Sequence, residues 1–370
     1  MIKYIYIENY KSIKKIGIPL SNLNLFFGMN GMGKSSTIQS MLLCRQSLWK
    51  SHSNTIEKIH LNGEMVELGT AGEVFCHSAE TNEMIIRLMD TVSGESEVRG
   101  LFDASDSFAN SLNCVLGKRV DSSLSLFSKY SFAYLSAEHI GPQRKYDYSK
   151  WNYEGLNRLG NRGEYAVPFL AINGDRIIVP EELCIHDSET RTNSLIDQVS
   201  AWMGKISPGV RLNTELLSGD QEARLKISYN EDWMVSSSNS PINVGFGIPY
   251  VLPLIVAVLT ASESGLVLIE NPESHLHPRG QTAMAELLAR SAARGTQIIC
   301  ESHSDHIING VRVAVKEQVI DKHKVSIDYF SRDSSLNTVV TSIQVDKNGN
   351  LSNYPSGLID EWGNLMSRLF

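Results

Sequence analysis

The chain has 370 residues, of which 42% are hydrophobic, and its 34 basic and 41 acidic side chains give a formal net charge of −7. That content supports a substantial core, and the length predicts one large domain with an insertion, or two domains. The acidic balance argues against a broad nucleic-acid-binding face on the isolated chain, leaving a local basic groove or one completed by a partner. No run of eighteen apolar residues occurs and the N-terminus lacks a signal-peptide pattern, so no membrane association is expected. Cys44, Cys76, Cys114, Cys184 and Cys300 are scattered, with no Cys-x-x-Cys pair. They read as reduced thiols of a cytoplasmic protein.

Alternating residues 2–8 predict a strand, residues 9–12 a turn, and 16–19 a second strand. Residues 23–27 are a short apolar run that reads as a buried strand. It leads into Gly28-Met29-Asn30-Gly31-Met32-Gly33-Lys34-Ser35, which fits G-x-x-x-x-G-K-[ST]. From Thr37 onward apolar residues recur at helical spacing. Strand, glycine-rich loop and helix are the context that a phosphate-binding P-loop requires. Its glycines let the backbone turn N–H groups toward an anion, and the helix start adds partial positive charge. Asn30, Gly31, Gly33, Lys34, Ser35 and Ser36 are the candidate ATP-binding residues. Lys34 would neutralise the β- and γ-phosphates, and the Ser35 hydroxyl would ligate Mg²⁺.

Residues 61–135 are expected to form an antiparallel sheet beside the P-loop core, with strands at 65–68, 74–77 and 84–89 and a helix over 102–116. A buried strand at 130–135 runs into a polar Gly-Pro break, where Gln143 or Arg144 could approach a nucleotide or belong to an ordinary loop. In 141–165, Lys145, Lys150, Arg158 and Arg162 interleave with Tyr146, Tyr148, Trp151 and Tyr153. Cations among stacking rings suit single-stranded nucleic acid, a protein interface or a plain surface loop. An amphipathic helix is expected at 190–205, and strands at 211–217, 224–229 and 233–236. No long heptad run appears, so the insertion is compact.

In the last third, Gly245 and Gly247 open an apolar helix, with Pro249 in its first turn and Pro253 inside it. Residues 266–269 form a buried strand that delivers Glu270 to its C-terminal edge, where ligands sit in α/β sheets. Glu270 is the candidate Mg²⁺ residue beside Ser35. His275 and His277 lack a complete metal-ligand set and read as loop or interface residues. A helix at 279–293 and a strand at 296–300 follow, and His303 at that strand's end can reach a γ-phosphate as donor. A helix at 305–317, strands at 325–330 and 339–345, and an amphipathic helix at 357–370 complete the chain.

With these motifs in this order, the chain resembles the ABC-type ATPases of the SMC/RecF/OLD group. The opening Ile7-Glu8-Asn9-Tyr10-Lys11-Ser12-Ile13 is similar to that group's first strand and turn. It looks closest to stand-alone prokaryotic AAA-type ATPases, some found in antiphage operons. Leu61-Asn62-Gly63, Asn243-Val244-Gly245-Phe246-Gly247, the run from Glu270 to Pro278 and Asp360-Glu361-Trp362 carry that match. The resemblance covers both ends well and residues 100–235 poorly.

The resemblance implies an α/β P-loop NTPase of ABC-ATPase head type. It has a mixed central sheet, a flanking antiparallel sheet and a compact inserted subdomain, with no long coiled coil. The implied divisions are an N-terminal lobe at 1–135, an insertion at 136–237 and a C-terminal lobe at 238–370. It implies a homodimer or higher oligomer closed around ATP, with Asn243, Gly245 and Gly247 acting in trans as the signature. Glu270, Asn271, Glu273 and His303 become the catalytic candidates. Two positions depart from the group. Ile248-Pro249-Tyr250 follows Gly247 where a serine usually stands beside the glycines. Asn271 occupies the usual place of a catalytic glutamate. An amide orients water but accepts no proton, so slow hydrolysis, or binding without turnover, is expected, unless Glu273 substitutes as the base.

Three functions follow from the resemblance. The first is an ATP-dependent switch that controls a separate effector, a nuclease or toxin, in antiphage defence. The second is a RecF-like DNA-repair ATPase. The third, a nuclease fused to its ATPase, is disfavoured because about two dozen residues after Val345 are too few for such a domain. A small-molecule kinase would not need the late glycine, acid and histidine motifs.

Overall fold

The computed structural model describes residues 1–51, 55–90, 94–115, 125–127, 131–148, 157–186, 190, 192–217, 221–231, 234–235, 238–245, 247–358 and 366–369. The elements begin with β1 (Ile2–Tyr10), β2 (Ile13–Pro19), β3 (Leu23–Phe27), α1 (Lys34–Ser51), β4 (Lys58–His60), α2 (Ala71–Val74), β5 (Glu83–Asp90), β6 (Gly94–Leu101) and β7 (Ser111–Cys114). Then come β8 (Phe132–Leu135), β9 (Tyr146–Asp147), α3 (Ala166–Asn173), α4 (Leu195–Ile206), β10 (Val210–Leu217), β11 (Glu222–Glu231) and β12 (Met234–Val235). The last are α5 (Gly247–Leu259), β13 (Leu266–Glu270), α6 (Pro278–Arg294), β14 (Gln297–Glu301), α7 (Asp305–Lys316), β15 (Val325–Arg332) and β16 (Thr338–Ile343). The chain divides into two compact units. The first comprises Met1–Phe132, Lys322–Asp346 and Asn350–Phe370, and the second Ala133–Asp321 with Lys347–Gly349.

In the first unit, an antiparallel sheet runs β2-β1-β5-β6-β7-β4. Ile5 and Ile7 are fully buried on β1, the two-residue period that turns one face inward, and Ile2 is buried beyond a register shift between Ile2 and Tyr4. The β3 strand is buried at all five residues and pairs in parallel with β15, from Leu23 opposite Val325 to Phe27 opposite Tyr329. On its other side β15 pairs antiparallel with β16, so the strands next to the P-loop are of mixed direction. Phe26 and Phe330 pack with ring centroids 5.1 Å apart.

Three expected elements of this unit are replaced. The helix at 102–116 is instead a short turn followed by β7. Asp103 accepts from the Ser105 backbone N–H at 2.8 Å, a local bond that competes with helix, and β7 pairs with β4 and β6. The strand at 74–77 is reduced to a bridge between Phe75 and Tyr10, directly after α2, whose Glu73 carboxylate accepts from the Thr70 backbone N–H at 2.7 Å. Residues 65–68 make only a bridge between Asn62 and Glu67. The N–H groups of Met65 and Val66 are taken by the Gln46 side-chain oxygen of α1 instead of a strand.

In the second unit, β13 and β14 pair in parallel from Leu266 opposite Gln297 to Glu270 opposite Glu301. The α5 helix is buried from Ile248 to Leu259, with Pro253 inside it. On α4 the buried Trp202 donates its indole N–H to the Leu183 carbonyl at 2.8 Å, which satisfies the one polar atom of the largest core side chain. β10 and β11 form an antiparallel pair. The α3 helix has no counterpart in the sequence reading, because Ala-Val-Pro-Phe-Leu-Ala-Ile-Asn offers no polar stripe and carries Pro168 in its first turn. At the C-terminus residues 366–369 are helical, and most of the helix expected over 357–370 falls outside the described residues. The longest helix among the described residues is α1, at 18 residues, so no extended coiled-coil arm occurs there. No helix among them is long and apolar enough to cross a membrane.

Candidate functional site

The P-loop belongs to the first unit. Gly28, Gly31 and Gly33 have φ of 137°, 76° and 104°, the left-handed half of the map that glycine enters without strain. Two of them also have no room for a side chain. A Cβ on Gly28 would lie 2.2 Å from the Phe330 carbonyl oxygen, and one on Gly33 2.6 Å from the Thr338 hydroxyl. Gly31 faces open space, so its φ alone selects glycine. Lys34 is buried at the first turn of α1, and its Nζ donates to the carbonyls of Gly28 at 2.8 Å and Met29 at 2.9 Å. The Thr37 hydroxyl ties the helix back to the Gly33 carbonyl at 3.0 Å.

Beside the loop lies a cavity of about 560 Å³, bordered by Lys11, Ser12, Gly31, Ser36, Phe75 and Arg332. Arg332 donates to the Gly31 carbonyl at 2.8 Å, and the Ser12 hydroxyl pairs with that of Thr338 at 2.9 Å. Burial pushes the Lys11 ammonium below its usual pKa, and its Nζ donates to Gln39 at 2.6 Å. The sequence reading assigned Lys11 and Ser12 to a turn. Their signal was the family-like Asn-Tyr-Lys-Ser run. Arg332, some 300 residues from Gly31, carried no signal.

The acidic residues belong to the second unit. The Glu270 carboxylate is 7% exposed at the end of β13. It accepts from the Tyr134 hydroxyl at 3.0 Å and the Ala137 backbone N–H at 3.3 Å. Burial, and then the Glu301 carboxylate on the adjacent strand, push its pKa up to about 7. Asn271 follows with φ of 51°, a conformation asparagine tolerates better than most residues, and its N–H donates to the Glu301 carbonyl at 2.9 Å. Its Oδ1 is buried with no hydrogen-bond partner among the described residues. The Glu270 carboxylate is a hard oxygen donor of the kind Mg²⁺ takes. Among the described residues no group of three or more His, Cys, Asp or Glu is gathered as a ready metal cage. Mg²⁺ commonly keeps several waters and one or two carboxylates, so the donor set still fits it.

Glu273 is committed elsewhere. Its Oε2 accepts from the Ser302 hydroxyl at 2.8 Å and its Oε1 from the His303 backbone N–H at 2.6 Å. It thereby fixes the turn that presents the exposed His303. The Ser304 hydroxyl then caps α7 through the His306 N–H.

The signature candidates lie just before α5 and at its first residue. Asn243 is exposed at the end of a 3₁₀ turn, Gly245 has open space around its Cα, and a Cβ on Gly247 would lie 2.5 Å from the His275 carbonyl oxygen. Phe246 lies outside the described residues. The Tyr250 ring is flanked by His275, edge-on at 4.8 Å, and His139 at 4.4 Å. Burial lowers the His139 pKa to about 4. His277 caps α6, its Nδ1 accepting from the Arg279 N–H at 3.3 Å. Both histidines of this run therefore serve packing and capping.

Of the loop at 141–165, Lys150, Trp151 and Tyr153 lie outside the described residues. Arg158 is buried and donates to the Thr260 carbonyl and hydroxyl at 3.0 and 2.8 Å, and Tyr146 is buried too. Neither is free to stack on a base. The Gln143 backbone N–H reaches the Tyr146 hydroxyl at 3.4 Å, and Arg144 lines a separate cavity with Asn243.

Residues 1–157 match the family described as "AAA ATPase domain". Residues 240–309 match "AAA domain, putative AbiEii toxin, Type IV TA system", and residues 320–369 a protein family of unknown function, DUF3696. The DNA replication and repair protein RecF of Bacteroides thetaiotaomicron is 33% identical over 87 residues. That alignment covers 20% of this chain and 23% of RecF, so the match spans under a quarter of the relative's length. An SMC head bound to the C-terminal winged-helix domain of ScpA superposes with a TM-score of 0.50 at 14% identity, covering 94% of this chain and 98% of that one. The Smc head of Pyrococcus furiosus, with an extended coiled coil and bound to the C-terminal domain of ScpA, gives 0.51 at 13% identity, covering 100% and 99%. At such identities the likeness is one of fold, and the fold is the head fold that the sequence resemblance implied.

Proposed function

We propose that this chain, an SMC/RecF-like P-loop ATPase, is an ATP-driven switch that closes as a dimer around nucleotide and hydrolyses it slowly. The observation that carries the reading is the P-loop itself, whose left-handed glycines and buried Lys34 crown α1. In this reading Asn30, Gly31, Gly33, Ser36 and the Lys34 ammonium hold the triphosphate, and the cavity beside Lys11 and Ser12 takes the nucleoside. Ser35 and Glu270 are the residues that would hold Mg²⁺, which would offset the charge of the phosphates. Asn271 orients the attacking water through its free Oδ1, and His303 donates to the γ-phosphate.

Slow turnover has two supports. An amide takes up no proton, and both oxygens of Glu273, the nearest substitute, already accept hydrogen bonds. Asn243, Gly245 and Gly247 of one copy meet the nucleotide of the other through backbone N–H groups, since no serine hydroxyl follows them. The γ-phosphate then binds both copies, and its loss releases them.

The functional divisions are the lobes 1–135 and 238–370 with the insertion 136–237 between them. The setting we infer is cytoplasmic, where the five free cysteines stay reduced. The task we infer is control of a separate effector, a nuclease or toxin, in antiphage defence. The match of residues 240–309 to a family named for a toxin–antitoxin system supports it. The RecF match supports a second reading, engagement of nucleic acid. Strongly salt-dependent DNA binding without a co-purifying effector would select it.

Lys34→Ala tests the common premise. The variant is expected to lose the P-loop's ATP binding in equilibrium binding and every ATP-dependent assembly in light scattering. An unchanged nucleotide affinity rejects the proposal.

A further inference from the structure

We propose that the second unit carries a phosphate-binding site of its own, in the cavity between β9, β11 and the segment leading to the signature candidates. This cavity is about 710 Å³, within the range of small-ligand sites. Its cationic lining is Arg144, Lys145, Arg224 and Lys226, and Asn239 and Asn243 add amide groups.

Strand pairing makes the cavity. One edge of β11 is taken by β10. The other is covered at one end by β9, with Ala223 opposite Tyr146, and at the other by the bridge from Ile227 to Asn239. Ile227 and Asn239 exchange both backbone hydrogen bonds, at 2.9 and 2.7 Å. By strand alternation the N–H and C=O of Leu225 face the same edge, in the gap between the two covers. Ala223, Leu225 and Ile227 are buried, so Arg224 and Lys226 stand together on the opposite, solvent-facing side of the strand.

The charges are not all neutralised within the fold. Lys145 pairs with Glu222 at 2.5 Å, and Lys226 pairs with Glu215. Among the described residues the side chains of Arg144 and Arg224 make no ion pair or hydrogen bond, although Arg224 stands opposite Glu215 in the ladder. Two such guanidinium groups in a concave site on an acidic chain of charge −7 concentrate anions locally against the net field. The planar guanidinium fork matches phosphate oxygens with paired hydrogen bonds, and the amide groups and strand edge add further donors. The ligand class is therefore a phosphate ester, presented by a nucleic-acid strand or by a free nucleotide.

The test uses the full chain carrying Lys34→Ala, so that the P-loop is silent. Fluorescence anisotropy is read with two probes, a labelled single-stranded 12-mer and a fluorescent adenosine diphosphate. At least one probe is expected to bind. Adding Arg144→Ala and Arg224→Ala weakens it about tenfold or more, and Arg144→Lys with Arg224→Lys recovers most of the loss. For the 12-mer, losing two phosphate contacts makes the log–log salt slope shallower by about 1.4. Binding of the 12-mer alone identifies a strand as the source, and binding of the diphosphate alone a free nucleotide. Three results overturn the proposal: neither probe binds, the alanine pair binds as well as its parent, or polyglutamate displaces the probe where inorganic phosphate does not. In the otherwise unaltered protein, Arg224→Ala leaves ATP-dependent assembly in light scattering unchanged. Failure of ATP binding in the unaltered chain would sink the switch reading while leaving this site standing.

Discussion

The P-loop and the acidic strand end reach their chemistry by opposite routes. At the P-loop the candidate groups are backbone amides, and three glycines with one lysine within seven residues specify their arrangement. At β13 the candidate group is a side chain whose properties come from its neighbours. Glu270 is an ordinary glutamate until Tyr134, Ala137 and Glu301 surround it. A local motif is thus robust to everything except its own sequence, whereas a carboxylate site is tuned from a distance.

The contrast is broken most forcefully within the P-loop. Gly28→Ala drives a Cβ to 2.2 Å from a backbone oxygen that cannot step aside. It also places alanine at φ of 137°. A loss of about 3 kcal/mol or more is expected in chemical denaturation. Gly31→Ala meets open space and bears the φ cost alone, about 1 kcal/mol. Equal losses at the two positions would show that packing against β15 does not select Gly28.

At the acidic end the expected effect is a pH dependence. The folded pKa of Glu270 is raised from 4.5 to about 7, so the native state holds a proton that the unfolded chain releases. Stability therefore falls as pH rises from about 4.5 to about 7 and levels off above that, by up to about 3 kcal/mol. Glu270→Gln should flatten this slope in melts between pH 5 and 7.5. Tyr134→Phe removes a hydrogen bond that favours the ionised form and should move the upper limb to higher pH. A melting temperature that rises across the window in the unaltered protein contradicts the assignment.

A smaller effect is expected in turnover. Asn271→Glu supplies a proton acceptor and should raise ATP hydrolysis by about tenfold. That is less than a well-placed base usually gives, because glutamate tolerates φ of 51° poorly. Glu273→Gln weakens the anchor of the Ser302–His303 turn and should lower turnover severalfold with a melting loss of about 1 kcal/mol. If single-turnover rates are the same in both variants, neither residue belongs to the hydrolytic centre.

Much of this architecture was legible in the residues. The β3 strand, the P-loop, α1, α4, β13 and β14 announced themselves through short apolar runs, helical spacing and punctuation by glycine. The failures share a cause. Residues 102–116 were expected to be helical, but Asp103 and Ser105 close a turn and β7 finds two partner strands. Residues 65–68 lost their strand to the side chain of Gln46. Arg158 looked like a surface cation and is buried against Thr260.

What the residues alone determined is the P-loop, the carboxylate at a strand's end and the head-type order of motifs. Each depends on neighbours within a few positions, where steric limits and hydrophobic period act directly. Only the tertiary structure decided that Glu270 holds its proton near neutrality, that Glu273 is occupied as an anchor, and that Arg332 braces Gly31. Desolvation, like charge and long-range hydrogen bonds arise between residues far apart in the chain, and no local pattern encodes them.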